Sequence, residues 1–242
     1  MRLRIEVTTS ASELPWASVL RPGRSLLYDL LARATPGLGR RIHDGGLGPY
    51  GMVPFGYGAP VFPDAVRRRG AYAAGGRGAM EAGSPLLEVV EAWSRALAGR
   101  DLIDWGGVAF HVQRVVPVDP PKFAAGRARW RTLTPVVMKG SGRDDGGVRR
   151  TRQAWVLPTE PEFAEYFVGN LRRKARTLGL DPDVELDAIT WVGPKRSFAV
   201  SDGLKPGAPV EAELRGAPET LRAIWSWGLG QANSAGFGWV AA

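Results

Sequence analysis

The sequence lacks cysteine altogether and has only two histidines, His43 and His111, among its 242 residues. Without thiols the chain can form neither disulfides nor thiolate metal sites, and two histidines are too few to favour a zinc centre built by the protein. We therefore expect a protein that holds no metal and needs no cofactor.

Long hydrophobic runs are also absent. No apolar stretch approaches the roughly 20 residues that a membrane span needs, and residues 1–7 lack the hydrophobic core of a signal peptide. Hydrophobic residues make up 44% of the chain and charged residues 23%, a composition typical of globular domains. These features predict a soluble, cytoplasmic protein that does not associate with membranes.

Most catalytic motifs are missing as well. The sequence has no Gly-x-Ser-x-Gly nucleophile elbow, no phosphate loop ending in Gly-Lys-Ser/Thr, and no carboxylate pair spaced for a glycosidase. The best remaining candidate for proton transfer is His43, because an imidazole beside Arg40 and Arg41 in a glycine-rich loop suits acid–base chemistry at a phosphate. An inert surface histidine is the competing interpretation.

Tyr28 precedes His43 by 15 residues, on a helix predicted over about 17–34. If the chain folds back after this helix, the phenol and the imidazole come together. Tyr28 also fits a simpler interpretation, in which it ends an apolar stripe and keeps its hydroxyl in water.

The formal charge is +8, and most of the excess lies in residues 126–178. Clustered cations of this kind are typical of phosphate contacts, although a solvated basic face is an equally good interpretation of the charge alone. The predicted phosphate-contacting residues of this block are Lys139, Arg149, Arg150, Arg152, Arg172, Arg173 and Lys174.

Hydrophobic periodicity predicts the order β-α-β-β-α-β, which is the ferredoxin-like unit, in the first half of the chain and an imperfect repeat of it in the second half. The first unit has strands at about 2–8, 51–58, 64–74 and 108–118 and helices at about 17–34 and 84–99; the second has strands at about 130–138, 184–192, 196–201, 209–214 and 237–241 and helices at about 159–178 and 217–227. Pro120-Pro121 marks the best boundary between them. The prediction is an α+β fold of two tandem ferredoxin-like (RRM-like) domains, 1–122 and 123–242.

Four glycines frame a polar segment near the C-terminus, in Gly228-Leu229-Gly230-Gln231-Ala232-Asn233-Ser234-Ala235-Gly236-Phe237-Gly238. Glycine lets a backbone turn sharply and approach a ligand closely, so this segment predicts a ligand-contacting loop. Hairpin turns or bulges are the competing interpretation.

Taken together, these segments resemble the CRISPR-associated endoribonucleases that cut precursor CRISPR RNA within its repeats, members of the RAMP superfamily. The resemblance covers nearly the whole chain. It rests on Leu27-Tyr28, on Ile42-His43-Asp44 followed by Tyr50, Pro54 and Phe55, on Leu133-Thr134-Pro135-Val136-Val137, on Asn170-Leu171-Arg172-Arg173-Lys174, and on the terminal glycine loop.

The resemblance implies RNA cleavage without a metal. The ribose 2′-hydroxyl attacks the adjacent phosphorus, leaving a 2′,3′-cyclic phosphate and a 5′-hydroxyl, and His43 and Tyr28 take the acid and base positions in an undecided order. Family members often carry a lysine shortly after the histidine, but Asp44 to Phe55 contains no basic residue. Arg40, Arg41 or the central block would then contact the phosphate. A non-catalytic RNA-binding RAMP protein and an unrelated basic structural protein are the alternatives.

The resemblance also implies that the glycine loop is an RNA platform, whose backbone N–H groups and polar side chains contact phosphates or bases. The loop residues predicted to bind RNA are Gly228, Gly230, Gln231, Asn233, Ser234, Gly236, Phe237 and Gly238. The expected partner is the CRISPR repeat transcript. Association with other CRISPR-associated proteins of an effector complex, and homodimerisation, stay open.

Overall fold

The computed structural model describes residues 1–67, 69–140, 155–200 and 203–241. Its first half contains β1 Arg2–Thr9, β2 Glu13–Leu14, α1 Arg21–Ala34, α2 Pro36–Asp44, β3 Gly56–Tyr57, β4 Tyr72–Ala73, β5 Gly76–Gly83, α3 Leu87–Leu97, β6 Leu102–Asp104 and β7 Ala109–Val118. Its second half contains β8 Arg127–Arg131, β9 Met138–Lys139, β10 Trp155–Val156, α4 Phe163–Thr177, β11 Glu185–Val192, β12 Arg196–Val200, β13 Gly203–Gly207, β14 Val210–Arg215 and α5 Pro218–Trp227.

The first half forms an antiparallel sheet in the order β3-β5-β1-β7-β6. Strand β1 is central because it pairs with β5 and β7, and its alternating side chains bury Leu3, Ile5 and Val7. Helices α1 and α3 contribute Leu27, Leu30 and Trp93 to the same core. Two helices packed on this antiparallel sheet give the predicted β-α-β-β-α-β unit.

Strand β5 was not predicted, although it pairs with β1 along its whole length. Its sequence, GRGAMEAG, contains three glycines and two charged residues, a composition that disfavours a strand prediction. Two of those glycines make close contacts, because a Cβ at Gly78 would overlap the Phe62 ring and one at Gly83 would crowd the backbone of Ser226. Tertiary packing therefore determines this strand.

The second half repeats the unit with the sheet order β11-β14-β8, and α4 and α5 pack in its core. The prediction of a last strand at about 237–241 is wrong. In the described part of this segment, an isolated β-bridge joins Thr132 to Val240. The reason is Gly238, whose φ of 64° turns the backbone out of the extended conformation. Among the described residues no helix combines the length and apolar character needed to cross a bilayer.

Two main hydrophobic clusters divide the chain. One is built from residues 3–110 and the other from residues 123–240. We propose the division at 122/123 as the domain boundary, since it falls between these two clusters.

Arg2 links the two halves. Its side chain is fully buried, and its guanidinium lies 3.7 Å from the centroid of the Trp225 ring and 3.9 Å from that of Trp239. The guanidinium also donates to the Trp225 carbonyl oxygen (3.2 Å) and to the Val240 carbonyl oxygen (2.8 Å). An arginine on the first strand thus closes the core of the second half.

Substituting Arg2 by methionine is expected to lower the free energy of unfolding by about 3–5 kcal/mol, because two buried carbonyl oxygens lose their donor. Urea denaturation measures the change. Arg4→Met is the matched control: Arg4 lies on the same strand but is half exposed, and its ion pair with Glu81 should contribute about 0–1 kcal/mol. Equal losses in the two variants would contradict the linking role of Arg2.

Candidate active site

Helices α1 and α2 form a tight helical hairpin. Thr35 joins them, with its N–H donating to the Leu31 carbonyl oxygen, and Pro36 occupies the first position of α2, where it favours a helix start. Gly39 lets α2 approach closely, because a Cβ there would lie 3.3 Å from the Ala32 nitrogen. His43 therefore lies in the last turn of a helix; its predicted place in a glycine-rich loop is wrong.

The hairpin brings Tyr28 and His43 together. Their ring centroids lie 5.0 Å apart in an edge-to-face arrangement. Phe55 supports Tyr28 from behind at 5.2 Å, and Phe55 packs in turn against Trp93, whose indole N–H donates to the Leu27 carbonyl oxygen. The phenol is thus held by rigid core residues.

His43 faces solvent. Its side chain is 61% exposed, and its Nδ1 lies 3.0 Å from Oδ1 of Asp44, which is also exposed. When the imidazole is neutral and Nδ1 carries the proton that Asp44 accepts, Nε2 is the free acceptor. The arrangement can therefore take a proton from a ligand at this surface.

Tyr28 is half-buried, and burial raises its pKa above the ordinary value for tyrosine, while Arg24 opposes that shift. The phenol consequently stays protonated at neutral pH and can donate a hydrogen bond. The Arg24 guanidinium lies 5.8 Å from the centroid of the Tyr28 ring. Arg24 was not predicted as a site residue, although its position one turn before Tyr28 on α1 was a usable signal.

Arg40 and Arg41 differ in their surroundings. Arg40 is exposed and precedes His43 by three residues on α2, so the two side chains share a face of the helix. Arg41 pairs with Glu88 of α3 at 3.2 Å, which neutralises part of its charge. Within the described residues, no three His, Cys, Asp or Glu side chains are grouped closely enough to hold a metal ion.

Lys174 is buried inside the protein, so its predicted phosphate contact is wrong. Its side chain is only 1% exposed, because α4 directs it into the core, and burial lowers its pKa well below the usual range. Its Nζ donates to the Gly228 carbonyl oxygen (2.5 Å) and to Oδ1 of Asn233 (2.7 Å). Lys174 therefore holds the glycine loop from inside.

Asn233 completes that connection. Its Nδ2 donates to the carbonyl oxygens of Leu229 and Phe237, both at 2.9 Å, so the predicted RNA contact of this buried side chain is also wrong. One amide thereby ties both ends of the loop to Lys174.

Three of the four loop glycines, Gly228, Gly236 and Gly238, pack against protein, whereas Gly230 borders an open cavity. Gly228, Gly230, Gly236 and Gly238 are buried and have positive φ, and a Cβ at Gly238 would overlap the Leu229 carbonyl oxygen. Three of their N–H groups donate to backbone carbonyl oxygens within the protein. Phe237 is fully buried. The predicted RNA contacts of Gly228, Gly236, Phe237 and Gly238 are therefore wrong, while an RNA contact by Gly230 stays a prediction.

Gln231 and Ser234 are the polar loop residues that are not buried. They line an open cavity of about 570 Å³ together with Tyr50 and with Arg173 of α4. Tyr50 belongs to the turn that follows α2, where Leu47 and Met52 form a bridge. The cavity thus connects the glycine loop with the segment that leads from His43, and RNA contacts by Gln231, Ser234 and Arg173 remain predictions.

The other predicted basic contacts are scattered. Arg172 donates to the Val184 carbonyl oxygen at 3.2 Å, and Lys139 is half-buried on β9. Arg149, Arg150 and Arg152 lie outside the described residues. The structure therefore gathers Tyr28, His43, Arg24 and Arg40 at one surface, while the central basic block is divided between several elements.

Comparison with protein families gives one decisive match. Residues 118–242, just over half of the chain, match the family described as CRISPR associated protein Cas6, C-terminal. The chain belongs to the CRISPR-associated Cas6 family. A search among curated proteins finds no match.

Solved structures match over the full length. A RAMP protein described as binding different RNA substrates has a TM-score of 0.78 at 15% identity, covering 99% of this chain and 98% of that chain. A Cas6-related protein from Pyrococcus furiosus has a TM-score of 0.76 at 13% identity, covering 100% and 97%. A Thermus thermophilus Cas6 product complex has a TM-score of 0.66 at 19% identity, covering 99% and 97%. The fold shared with these Cas6 and RAMP proteins confirms the predicted tandem ferredoxin-like fold class.

Proposed function

We propose that this chain is a metal-independent endoribonuclease that cleaves CRISPR repeat RNA. The observation that carries the proposal is the contact between Tyr28 and His43, 5.0 Å between ring centroids, with the imidazole exposed and arginines on both helices. Membership of the Cas6 family and structural neighbours described as RNA-binding or as product complexes support the same substrate.

In the proposed reaction, Nε2 of His43 takes the proton of the ribose 2′-hydroxyl. The oxygen then attacks the neighbouring phosphorus, and the bond from phosphorus to the 5′-oxygen breaks. Tyr28 gives its phenolic proton to the departing 5′-oxygen, which is far more basic than a phenolate. The products are a 2′,3′-cyclic phosphate and a 5′-hydroxyl, and exchange with water restores both side chains.

Arg24 supplies positive charge in this proposal. The phosphorane carries more negative charge than the ground state, and a fixed cation beside it stabilises the transition state. The segment from Asp44 to Phe55 offers no basic residue, whereas Arg24 lies one helical turn from Tyr28 and contacts its ring. Arg24 thus takes the role for which the family resemblance leads us to expect a lysine after the histidine.

A non-catalytic RNA-binding protein is the second candidate. It is favoured by that missing lysine, because the fold and the basic residues would survive a loss of catalysis. In that case the chain would bind repeat RNA and leave it intact.

Single-turnover cleavage of CRISPR repeat RNA in EDTA tests the proposal. We expect full activity without divalent metal and a product that ends in a 2′,3′-cyclic phosphate, detected by mass spectrometry. A 2′-deoxyribose at the scissile nucleotide should abolish cleavage, since the nucleophile is then missing. A requirement for metal would overturn the mechanism, and tight binding without cleavage would favour the second candidate.

A further inference from the structure

A groove lies between the two halves of the molecule, away from the Tyr28–His43 pair. It has a volume of about 360 Å³ and is lined by the short 3-10 helix Trp16–Ser18 and by Arg196 and Phe198 of β12. An adjoining cavity of about 280 Å³ shares Trp16, Arg196 and Phe198 and extends to Trp191 and Leu133. We refer to both together as the aromatic groove.

The aromatic groove presents large apolar side chains to solvent. Trp16 is 41% exposed, Trp191 is 36% exposed, and Leu133 is exposed between them. Trp16 is held in place, because its indole N–H donates to the Gly70 carbonyl oxygen at 2.8 Å and its ring packs edge-on against Tyr72. Rigid, exposed aromatic faces of this kind mark an interaction site.

Arg196 is the charged residue that lines the groove, and Arg131 lies beside it. In the strand register, Glu211 of β14 lies between Arg131 and Trp191. The Arg196 guanidinium lies 5.6 Å from the centroid of the Trp16 ring, and the Arg131 guanidinium lies 4.1 Å from that of Trp191. None of the described residues that line the two cavities is an aspartate or a glutamate. A polyanion with flat apolar groups matches this surface better than a mixed-charge protein does.

We propose that the aromatic groove binds unpaired nucleotides of the RNA substrate by stacking bases on Trp16 and Trp191, with Arg131 and Arg196 near the phosphates. Alternating aromatic and basic side chains are the usual means of holding a single strand without reading its sequence. This inference rests on the proposed function, which supplies RNA as the substrate. It adds a second site that holds RNA outside the cleaved linkage.

The position of the groove fits a strand that continues from the active site. Trp16 lies just before α1, and Tyr28 lies about 10 Å along that helix from Arg21. A few nucleotides of single strand span such a distance.

Binding of a fluorescent oligoadenylate of about 12 nucleotides, measured by anisotropy, tests the groove. We expect Trp16→Ala and Trp191→Ala each to weaken binding about 5- to 100-fold, and Trp16→Phe to retain most of the affinity because it keeps a stacking face. Arg196→Gln should reduce the slope of log K against log salt by about 0.7. Leu102→Ala, an exposed apolar residue of β6 outside the groove, is the control and should change nothing.

Unchanged oligoadenylate binding in the two tryptophan variants would overturn the proposal and leave a protein partner as the occupant. Equal weakening of binding to a blunt RNA duplex would also overturn it, because paired bases offer no free face. Thermal melting identifies any tryptophan variant that fails to fold. In that case the salt dependence of binding by Arg196→Gln still tests the proposal. His43→Ala should bind oligoadenylate like the wild type. Cleavage and groove binding are therefore separate readouts, and failure of the nuclease proposal can be distinguished from failure of the groove proposal.

Discussion

Replacing His43 with alanine is expected to lower the single-turnover rate of repeat RNA cleavage by about 10²–10⁴-fold, the usual contribution of a positioned general base. The substitution removes the acceptor that deprotonates the 2′-hydroxyl, while Tyr28 and its support by Phe55 stay in place. RNA affinity should change little, because the His43 side chain is exposed and supports no core residue. Rapid-quench kinetics at saturating protein separate the rate from the affinity.

His111 provides the matched control, since it is the other histidine of the chain and is exposed on β7. His111→Ala should cleave at the wild-type rate. A His43→Ala variant that cleaves as fast as His111→Ala would contradict the assignment of the base and, with it, the proposed active site.

Replacing Lys174 with methionine is expected to lower the free energy of unfolding by about 2–5 kcal/mol. Methionine fills the volume of the lysine stem but leaves the Gly228 carbonyl oxygen and Oδ1 of Asn233 buried without a donor. The loss should concentrate on the glycine loop, because Asn233 ties both of its ends to Lys174. Urea denaturation gives the stability, and hydrogen exchange of the Leu229 and Gly238 amides reports on the loop.

Arg173→Met is the control for Lys174→Met, because Arg173 is the preceding residue on α4 but lines the open cavity. We expect it to leave the free energy of unfolding within about 0.5 kcal/mol of wild type and to weaken RNA binding. The opposite pattern, in which Lys174→Met stays stable and loses RNA affinity, would restore the original prediction that Lys174 contacts phosphate.

Much of the fold was predictable because its helices carry regular apolar stripes. Leu26, Leu27, Leu30 and Leu31 recur at helical spacing and are all buried in α1. Helix α2 was missed because Pro36 and two glycines suggest a loop, although proline at the first position is compatible with a helix. Only contact with α1 makes so short a helix stable.

The site was predictable in part. Tyr28 and His43 were chosen from the sequence, and the hairpin places them in contact. Lys174 was misassigned because a lysine within a run of arginines suggests a solvated face. The apolar stripe of α4, Phe163, Phe167 and Leu171, extends to position 174, so helical periodicity carried the information that this lysine points inward.

The glycine loop shows where composition is ambiguous. Positive φ values require glycine equally in a loop that approaches a ligand and in one that packs against its own protein. The sequence cannot distinguish these, because the deciding contacts come from Lys174 on a distant helix and from Pro135, whose carbonyl oxygen accepts the Gly238 N–H.

The most direct measurement is a structure of the protein bound to CRISPR repeat RNA with a 2′-deoxyribose at the scissile nucleotide. We predict that Nε2 of His43 lies where it would accept the proton of a 2′-hydroxyl on the scissile nucleotide, that the Tyr28 hydroxyl contacts the 5′-oxygen, and that Arg24 faces the phosphate. RNA bound with its scissile linkage on another surface, beyond reach of both rings, would contradict the account.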